Sequence, residues 1–141
     1  MALASYRAGL AFTRTYVGYV HAIAHQLGAI YHVPHGLANA IVLPGVLACC
    51  RPKIDRKLAE LARAANISDS PDDVQAATEF MEKLSGLLKM IDIPQTVAAM
   101  QAADIDHIAQ RALDEAFGQY PVPVQLNHSQ IREILLDLLP R

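Results

Sequence analysis

The feature of this sequence that most restricts its fold is a long internal stretch without formal charge. From Thr15 to Cys50 there is no Asp, Glu, Lys or Arg. Such a stretch must be surrounded by protein or by lipid, because so much apolar surface is unfavourable in water. Prolines, glycines and histidines interrupt it, and ionisable groups are costly inside a bilayer. We therefore expect a helix pair buried in protein and no membrane span.

Apolar residues in the second half of the chain recur at helical spacing. One set alternates in steps of three and four, which places its members on one face of a helix. The set comprises Val74, Ala77, Met81, Leu84, Leu88 and Ile91. Ser70, Pro71 and Asp73 have the positions of an N-cap, a first-turn proline and an acidic capping partner. This helix should therefore begin at Ser70 and end near Pro94.

Further helices are predicted on either side of it. A shorter helix that carries Leu58 should begin near Pro52, and another should be capped by Asp104. The last should follow Asn127, since Gln130 three residues later completes a capping box. No repeat or long linker divides the 141 residues. The sequence therefore predicts one all-α domain, a helical bundle over residues 1–141.

Charge and cysteine usage narrow the possible partners and location. The formal net charge is -2, and it is spread without blocks of one sign, which argues against a nucleic-acid surface. Cys49 and Cys50 are adjacent, and the geometry of a disulfide disfavours a bond between neighbours. A reducing compartment is the expectation, so we predict a cytoplasmic location.

Four of the six histidines lie in the run HAIAHQLGAIYHVPHG, from His21 to Gly36. His21 and His25 are four residues apart, so on a helix they share one face. Pro34 should end this helix, and His35 should then stand at the start of the next one. A helix, a tight turn and a second helix would bring His35 back towards that face. The pattern predicts two or three imidazoles around one pocket.

Such a pocket has the chemistry of a metal site. Imidazole nitrogens suit zinc, iron, copper and nickel, and a catalytic metal keeps one position open for a substrate oxygen. Spacing alone favours His21 and His25 as the chelating pair. The alternative for any one of these histidines is a hydrogen-bonded core residue, and we assign His32 to that alternative.

The stretch AGLAFTRTYVGYVHAIAHQLGAIYHVPHGLANAIVLP resembles the metal-binding signature of the iron-dependent, group III alcohol dehydrogenases. The similarity includes two histidines fourteen residues apart, His21 and His35, the histidine between them and the PHG turn. It implies an enzyme with an N-terminal α/β domain that binds NAD or NADP. Its C-terminal helical domain, similar to that of dehydroquinate synthase, holds the metal. This chain resembles the larger part of that helical domain without the dinucleotide-binding domain.

Carried over residue by residue, the resemblance implies that His21 and His35 bind the metal. The expected ion is Fe(II), with zinc possible, and His25 is the expected catalytic residue near the nicotinamide and the substrate. This assignment replaces the pair that spacing alone favours. The family completes its site with an Asp and a His from a preceding helix, and neither can be matched here. At the far end, YPVPVQL stands where relatives often carry Asn-Pro-Arg.

The resemblance implies hydride transfer between a small alcohol and NAD or NADP, giving an aldehyde or ketone. No residue of this chain is assigned to the dinucleotide, so the chain alone is expected to be incomplete and inactive. We also expect a homo-oligomer, because absence of the cofactor domain would expose apolar helix faces. Two alternatives stay open. One is a non-catalytic metal-binding or interaction module left by truncation, and the other is a structural or dimerising helical domain.

Overall fold

The computed structural model describes residues 1–13 and 15–140, and within them the chain is helical without a strand. The α-helices are α1 (Ala2–Thr13), α2 (Tyr19–Tyr31), α3 (His35–Ala64), α4 (Asp73–Met90), α5 (Ile105–Ala116) and α6 (His128–Asp137). A single 3₁₀ turn, Ala102–Asp104, leads into α5. The predicted all-α fold is confirmed.

The core lies where α2 packs between α3 and α5. Helix α3 also contacts α4 and α6, and α6 packs against α5. Large side chains without solvent exposure come from four of these helices and join one cluster: Ile23, Leu27, Val42, Ile108 and Leu135. Helix α2 is therefore held on two sides, which fixes the positions from which its histidines project.

The second half of the uncharged stretch lies in one long helix. The sequence predicts two helices here, one ending near Cys50 and another beginning near Pro52, and this is wrong. Helix α3 runs through Pro44 and Pro52 without a break for 30 residues. Each proline removes one backbone hydrogen bond, but α2, α4 and α6 all pack along α3. Tertiary packing outweighs the helix-breaking tendency of the two prolines.

Helix α3 is long and apolar enough to cross a membrane by length and composition. That observation is weak evidence, because the core helix of a soluble protein passes the same test. The packing of α3 against three other helices agrees with the expectation of a helix buried in protein.

The observed helix caps match the sequence prediction for α6 and differ from it for α4 and α5. Asn127 and Gln130 form the predicted capping box of α6. Helix α4 is capped by Asp72, whose side chain accepts a hydrogen bond from the backbone of Gln75, and not by Ser70. Asp104 makes no side-chain cap for α5, because its carboxylate accepts a hydrogen bond from a tyrosine hydroxyl of α2.

Helix α4 turns the middle of the predicted apolar stripe towards the core, where Ala77 is buried and Met81 packs against the core cluster. Val74 is 59% exposed and Ile91 is 56% exposed, so the two ends of that stripe face solvent. The fully buried residues of α4 are Ala76 and Ala77. Small side chains allow helices to approach closely, and Ala76 clusters with two alanines of α3. The α3–α4 contact therefore depends on alanines more than on the larger residues.

Two glycines in helix interiors give a matched test of this packing. Gly86 in α4 has no atom within 4 Å of an added Cβ, whereas a Cβ on Gly45 in α3 would lie 3.1 Å from Cγ2 of Ile134. We expect Gly86→Ala to stabilise the chain by about 1 kcal/mol through helix propensity. Gly45→Ala should stabilise it less or destabilise it, because Ile134 must move. Urea unfolding of both variants measures the difference, and equal gains would contradict the close α3–α6 contact.

Candidate functional site

Three of the four clustered histidines come together at the junction of α2 and α3. The ring centroids of His21 and His35 are 5.3 Å apart, those of His25 and His35 are 5.4 Å apart, and those of His21 and His25 are 5.8 Å apart. His21 is half-buried, whereas His25 and His35 are exposed. The predicted convergence of these imidazoles is confirmed, and the cluster opens onto the surface.

A three-residue reversal produces this convergence. His32 ends α2 in the left-handed region, with φ of 57°, and its backbone N–H donates to the carbonyl of Gly28. Pro34 is the N-cap of α3 with ψ of 135°, an extended conformation that starts the next helix at once. His32 is exposed. The expectation that it is a hydrogen-bonded core residue is therefore wrong, because its left-handed backbone ends α2 and turns the side chain to the surface.

The electrostatics of the cluster favour neutral imidazole at its centre. Burial lowers the pKa of His21, and the neighbouring His35 and His25 lower it further, while Glu115 opposes the shift. A neutral imidazole is the form that binds a metal ion. His21 is therefore ready to act as a ligand near neutral pH without first losing a proton.

A carboxylate from α5 binds the second histidine. Oε1 of Glu115 lies 2.6 Å from Nδ1 of His25, and the Tyr120 hydroxyl donates to the same oxygen at 2.8 Å. Nε2 of Gln26 donates to Oε2 of Glu115 at 2.9 Å, and Nε of Arg111 donates to Oε1 of Gln26 at 2.7 Å. Burial and the hydrogen bond to Glu115 raise the pKa of Tyr120 to about 12. Its hydroxyl thus stays a donor at neutral pH.

Sequence reasoning missed this network, although one signal for it was present. Gln26 is only 4% exposed and lies in a helix without Asp, Glu, Lys or Arg. A buried polar side chain requires hydrogen-bond partners. The sequence does not show which residues those partners are. Glu115 and Arg111 are more than eighty residues further along the chain, so only the packing of α2 on α5 identifies them.

An amide side chain contacts the third histidine. Nδ2 of Asn39 donates to the backbone carbonyl of His35 at 2.8 Å and lies 3.2 Å from Nε2 of the same residue. The other amide atom, Oδ1, is buried and has no hydrogen-bond partner in the described part of the chain. One turn of helix thus places a polar side chain directly beside the His35 imidazole.

An apolar cavity of about 560 Å³ adjoins the cluster on the side of His21 and Asn39. Its other lining residues are mainly apolar and include Phe12, Tyr16, Leu43, Leu47, Val122 and Pro123. Cavities of this size that combine apolar walls with a few polar groups are typical of small-molecule sites. The imidazole of His21 is therefore accessible from a space that a small organic molecule can occupy.

The cluster has donors suited to a metal but an incomplete ligand set. Two imidazoles bound to one tetrahedral ion have ring centroids roughly 5 Å apart, given metal–nitrogen bonds of about 2 Å. The distance of 5.3 Å between His21 and His35 fits this arrangement. Across residues 1–13 and 15–140, however, no three His, Cys, Asp or Glu side chains are arranged to hold a metal ion. The described residues thus offer part of a coordination shell.

Comparison with known proteins identifies the family. The sequence profile for the C-terminal part of the Fe-containing alcohol dehydrogenase family matches residues 1–139. The chain belongs to the Fe-containing alcohol dehydrogenase family. Alcohol dehydrogenase 4 of Saccharomyces cerevisiae is 35% identical over 141 residues, an alignment that covers 96% of this chain and 35% of that protein. The 1,3-propanediol dehydrogenase of Citrobacter freundii is 36% identical over 137 residues, covering 95% of this chain and 35% of that protein.

Solved structures of this family of alcohol dehydrogenases share the fold. The alcohol dehydrogenase from Oenococcus oeni superimposes with a TM-score of 0.84 at 30% identity, over 93% of this chain and 35% of that one. A 1,3-propanediol oxidoreductase superimposes with a TM-score of 0.79 at 31% identity, over 87% of this chain and 33% of that one. The chain thus spans about a third of the length of the family members it matches.

The reversal between α2 and α3 gives a test of the role of His32. Glycine adopts the left-handed region without strain, so we expect His32→Gly to leave stability unchanged or raise it by up to about 1 kcal/mol. His32→Val should destabilise the chain, because a β-branched residue is strained at positive φ. Thermal unfolding of the two variants measures this difference in stability. A destabilised His32→Gly together with a tolerated His32→Val would show that the imidazole itself is needed.

Proposed function

We propose that this chain forms the metal-binding helical part of an NAD(P)-dependent alcohol dehydrogenase that interconverts small alcohols and aldehydes or ketones. His21 and His35 are the proposed metal ligands, and His25 is the proposed catalytic residue. The observation that carries the proposal is the convergence of the three imidazoles in a chain that belongs to this family.

The chain's own residues have distinct tasks in this proposal. When bound, the metal would supply Lewis-acid polarisation of an alcohol oxygen, and the nicotinamide would supply a hydride acceptor. His21 and His35 would hold the ion through neutral imidazole nitrogens. Nδ1 of His25 faces Glu115, so its Nε2 is the nitrogen that can take or return the proton of the substrate hydroxyl. The apolar cavity beside His21 has room for the hydrocarbon part of the alcohol.

The metal itself is proposed to be Fe(II), with zinc as a substitute. Imidazole donors suit both ions, and the general affinity order of divalent metals places zinc above iron. The remaining ligands and the NAD(P) site are proposed to come from parts of the enzyme outside the described residues. The cytoplasmic location stays a prediction that rests on Cys49 and Cys50, which are free thiols here.

Metal stoichiometry of histidine variants tests the ligand assignment. We expect His21→Ala and His35→Ala to lose bound Zn(II) in equilibrium dialysis, because each removes one imidazole from a partial shell. His25→Ala and His32→Ala should retain it, as should His107→Ala, a control on the exposed side of α5. Loss of zinc in His25→Ala with full retention in His35→Ala would show that the pair four residues apart is the chelate.

Turnover of the same variants separates binding from catalysis. The assay requires a full-length enzyme made by joining this chain to the dinucleotide-binding half of a relative, and we expect no NADH production by the chain alone. In that enzyme His25→Ala should keep its metal but lower turnover by roughly 10²-fold to 10⁴-fold, the range for a general acid or base. Unchanged turnover in His25→Ala would remove this residue from the mechanism.

Self-association of the chain is proposed from the surface of α1. This helix has no buried residue, and Leu3, Tyr6, Leu10 and Phe12 are each at least half exposed. Leu3 and Leu10 are seven residues apart and so share one helix face. Contiguous apolar patches of this kind are unusual on monomers and mark contact surfaces.

Sedimentation velocity tests the contribution of this face. We expect the parent chain to form oligomers at high concentration, and Leu3→Glu with Leu10→Glu to shift it towards monomer. Leu61→Glu is the matched control, because Leu61 is 53% exposed but lies on α3. A monomeric parent chain, or an equal effect of the control, would contradict the assignment of this face.

A further inference from the structure

The hydrogen bonds around Glu115 have a fixed direction at every step. Arg111 has only donors, so its contact with Gln26 requires the amide oxygen of Gln26 to face the guanidinium. The amide nitrogen of Gln26 must then face Glu115, to which it donates. No exchange of oxygen and nitrogen in Gln26 would satisfy both neighbours. The orientation of this buried amide therefore follows from chemistry.

The carboxylate at the centre of the network is held from three sides. It accepts hydrogen bonds from Gln26 on one oxygen, and from Tyr120 on the other oxygen, which also faces Nδ1 of His25. An ionised carboxylate can only accept. In a neutral His25 the proton must then lie on Nδ1, and Nε2 carries the free lone pair. The tautomer of His25 is thus determined by a residue of another helix.

We infer that Glu115 is a positioning residue that fixes the ring orientation and the Nδ1–H tautomer of His25. The inference rests on the proposed function, in which Nε2 of His25 exchanges a proton with the substrate hydroxyl. Histidines at metal and catalytic sites often depend on a carboxylate in this way, and its removal typically costs 10-fold to 100-fold in affinity or activity. Gln26 and Tyr120 act one step further away by donating to the carboxylate, and Arg111 in turn donates to Gln26.

The side chain of Glu115 is suited to this task by its location. It is 24% exposed, whereas the side chain of His25 is 40% exposed. The carboxylate is thus mostly buried beside an imidazole that is open to solvent. Its directional contacts select one ring orientation among those open to His25.

Asp104 provides a matched control on the same pair of helices. Its carboxylate accepts a hydrogen bond from the hydroxyl of Tyr31 at 2.5 Å, which joins the end of α2 to the start of α5. Glu115 joins α2 to the other end of α5. Asp104→Ala therefore removes an inter-helix carboxylate contact just as Glu115→Ala does, but it leaves the direct contacts of His25 and Glu115 unchanged.

Nitrogen NMR of the chain labelled at histidine gives the direct readout. At about pH 8, above the ordinary histidine pKa, we expect the long-range proton–nitrogen spectrum of the parent to show His25 with protonated Nδ1 and bare Nε2. Glu115→Ala should give a mixture of the two tautomers, and Asp104→Ala should match the parent. Glu115→Gln retains the side-chain volume and should also give both tautomers, because an amide offers a donor as well as an acceptor.

A parent-like Nδ1–H signal in every Glu115 variant that folds would overturn the inference.

The joined full-length enzyme gives a second test. There Glu115→Ala should lower kcat by roughly 10-fold to 100-fold, and it should cause no further loss when His25 is already replaced by Ala. A full additional loss in that double variant would show that Glu115 does not act through His25.

Failure of the proposed function would look different in the same spectra. Zn(II) added to the parent should shift the resonances of His21 and His35, and this result does not depend on Glu115. If zinc leaves both residues unaffected while the His25 tautomer still changes in Glu115→Ala, the ligand assignment is wrong and the positioning role stands.

Discussion

The reversal of the chain between α2 and α3 is the constraint on which the remaining structure depends. Only residues 32–34 separate the two helices, so their axes must pack side by side along their whole shared length. The left-handed His32 and the extended Pro34 make this short connection possible. The same reversal buries the apolar faces of both helices against each other, and it places His35 opposite His21. The same short connection therefore serves both the core and the imidazole cluster.

Helix α5 supplies a carboxylate that contacts the imidazole cluster. Packing of α2 against α5 brings Glu115 to His25 and leaves Tyr31 bound to Asp104. These two carboxylates lie at opposite ends of α5, and of the two only Glu115 contacts a histidine of the cluster.

The sequence predicts local features of this protein well and distant partnerships poorly. The helical spacing, the capping box at Asn127 and the turn at Pro34 involve residues within a few positions of each other, and all three are confirmed. Helix α3 was expected to break at Pro52, because the cost of a proline is local, whereas the packing that offsets it comes from helices elsewhere in the chain. The sequence likewise predicts Asp104 as the cap of α5 from a local pattern, whereas the tyrosine that binds its carboxylate comes from α2. Glu115 could not be paired with His25 from the sequence at all, since nothing local links them.

The two prolines of α3 have a consequence for how this helix is held together. Pro44 and Pro52 have no N–H to donate to the carbonyls four residues back, so the hydrogen-bond ladder of α3 is interrupted on both sides of the segment between them. At these two points α3 depends on its contacts with neighbouring helices in place of its own hydrogen bonds. The turn that carries His35 and Asn39 lies before the first interruption, and most of the alanine contact with α4 lies after the second. The two prolines therefore separate the turn of α3 beside the imidazole cluster from the segment that packs on α4.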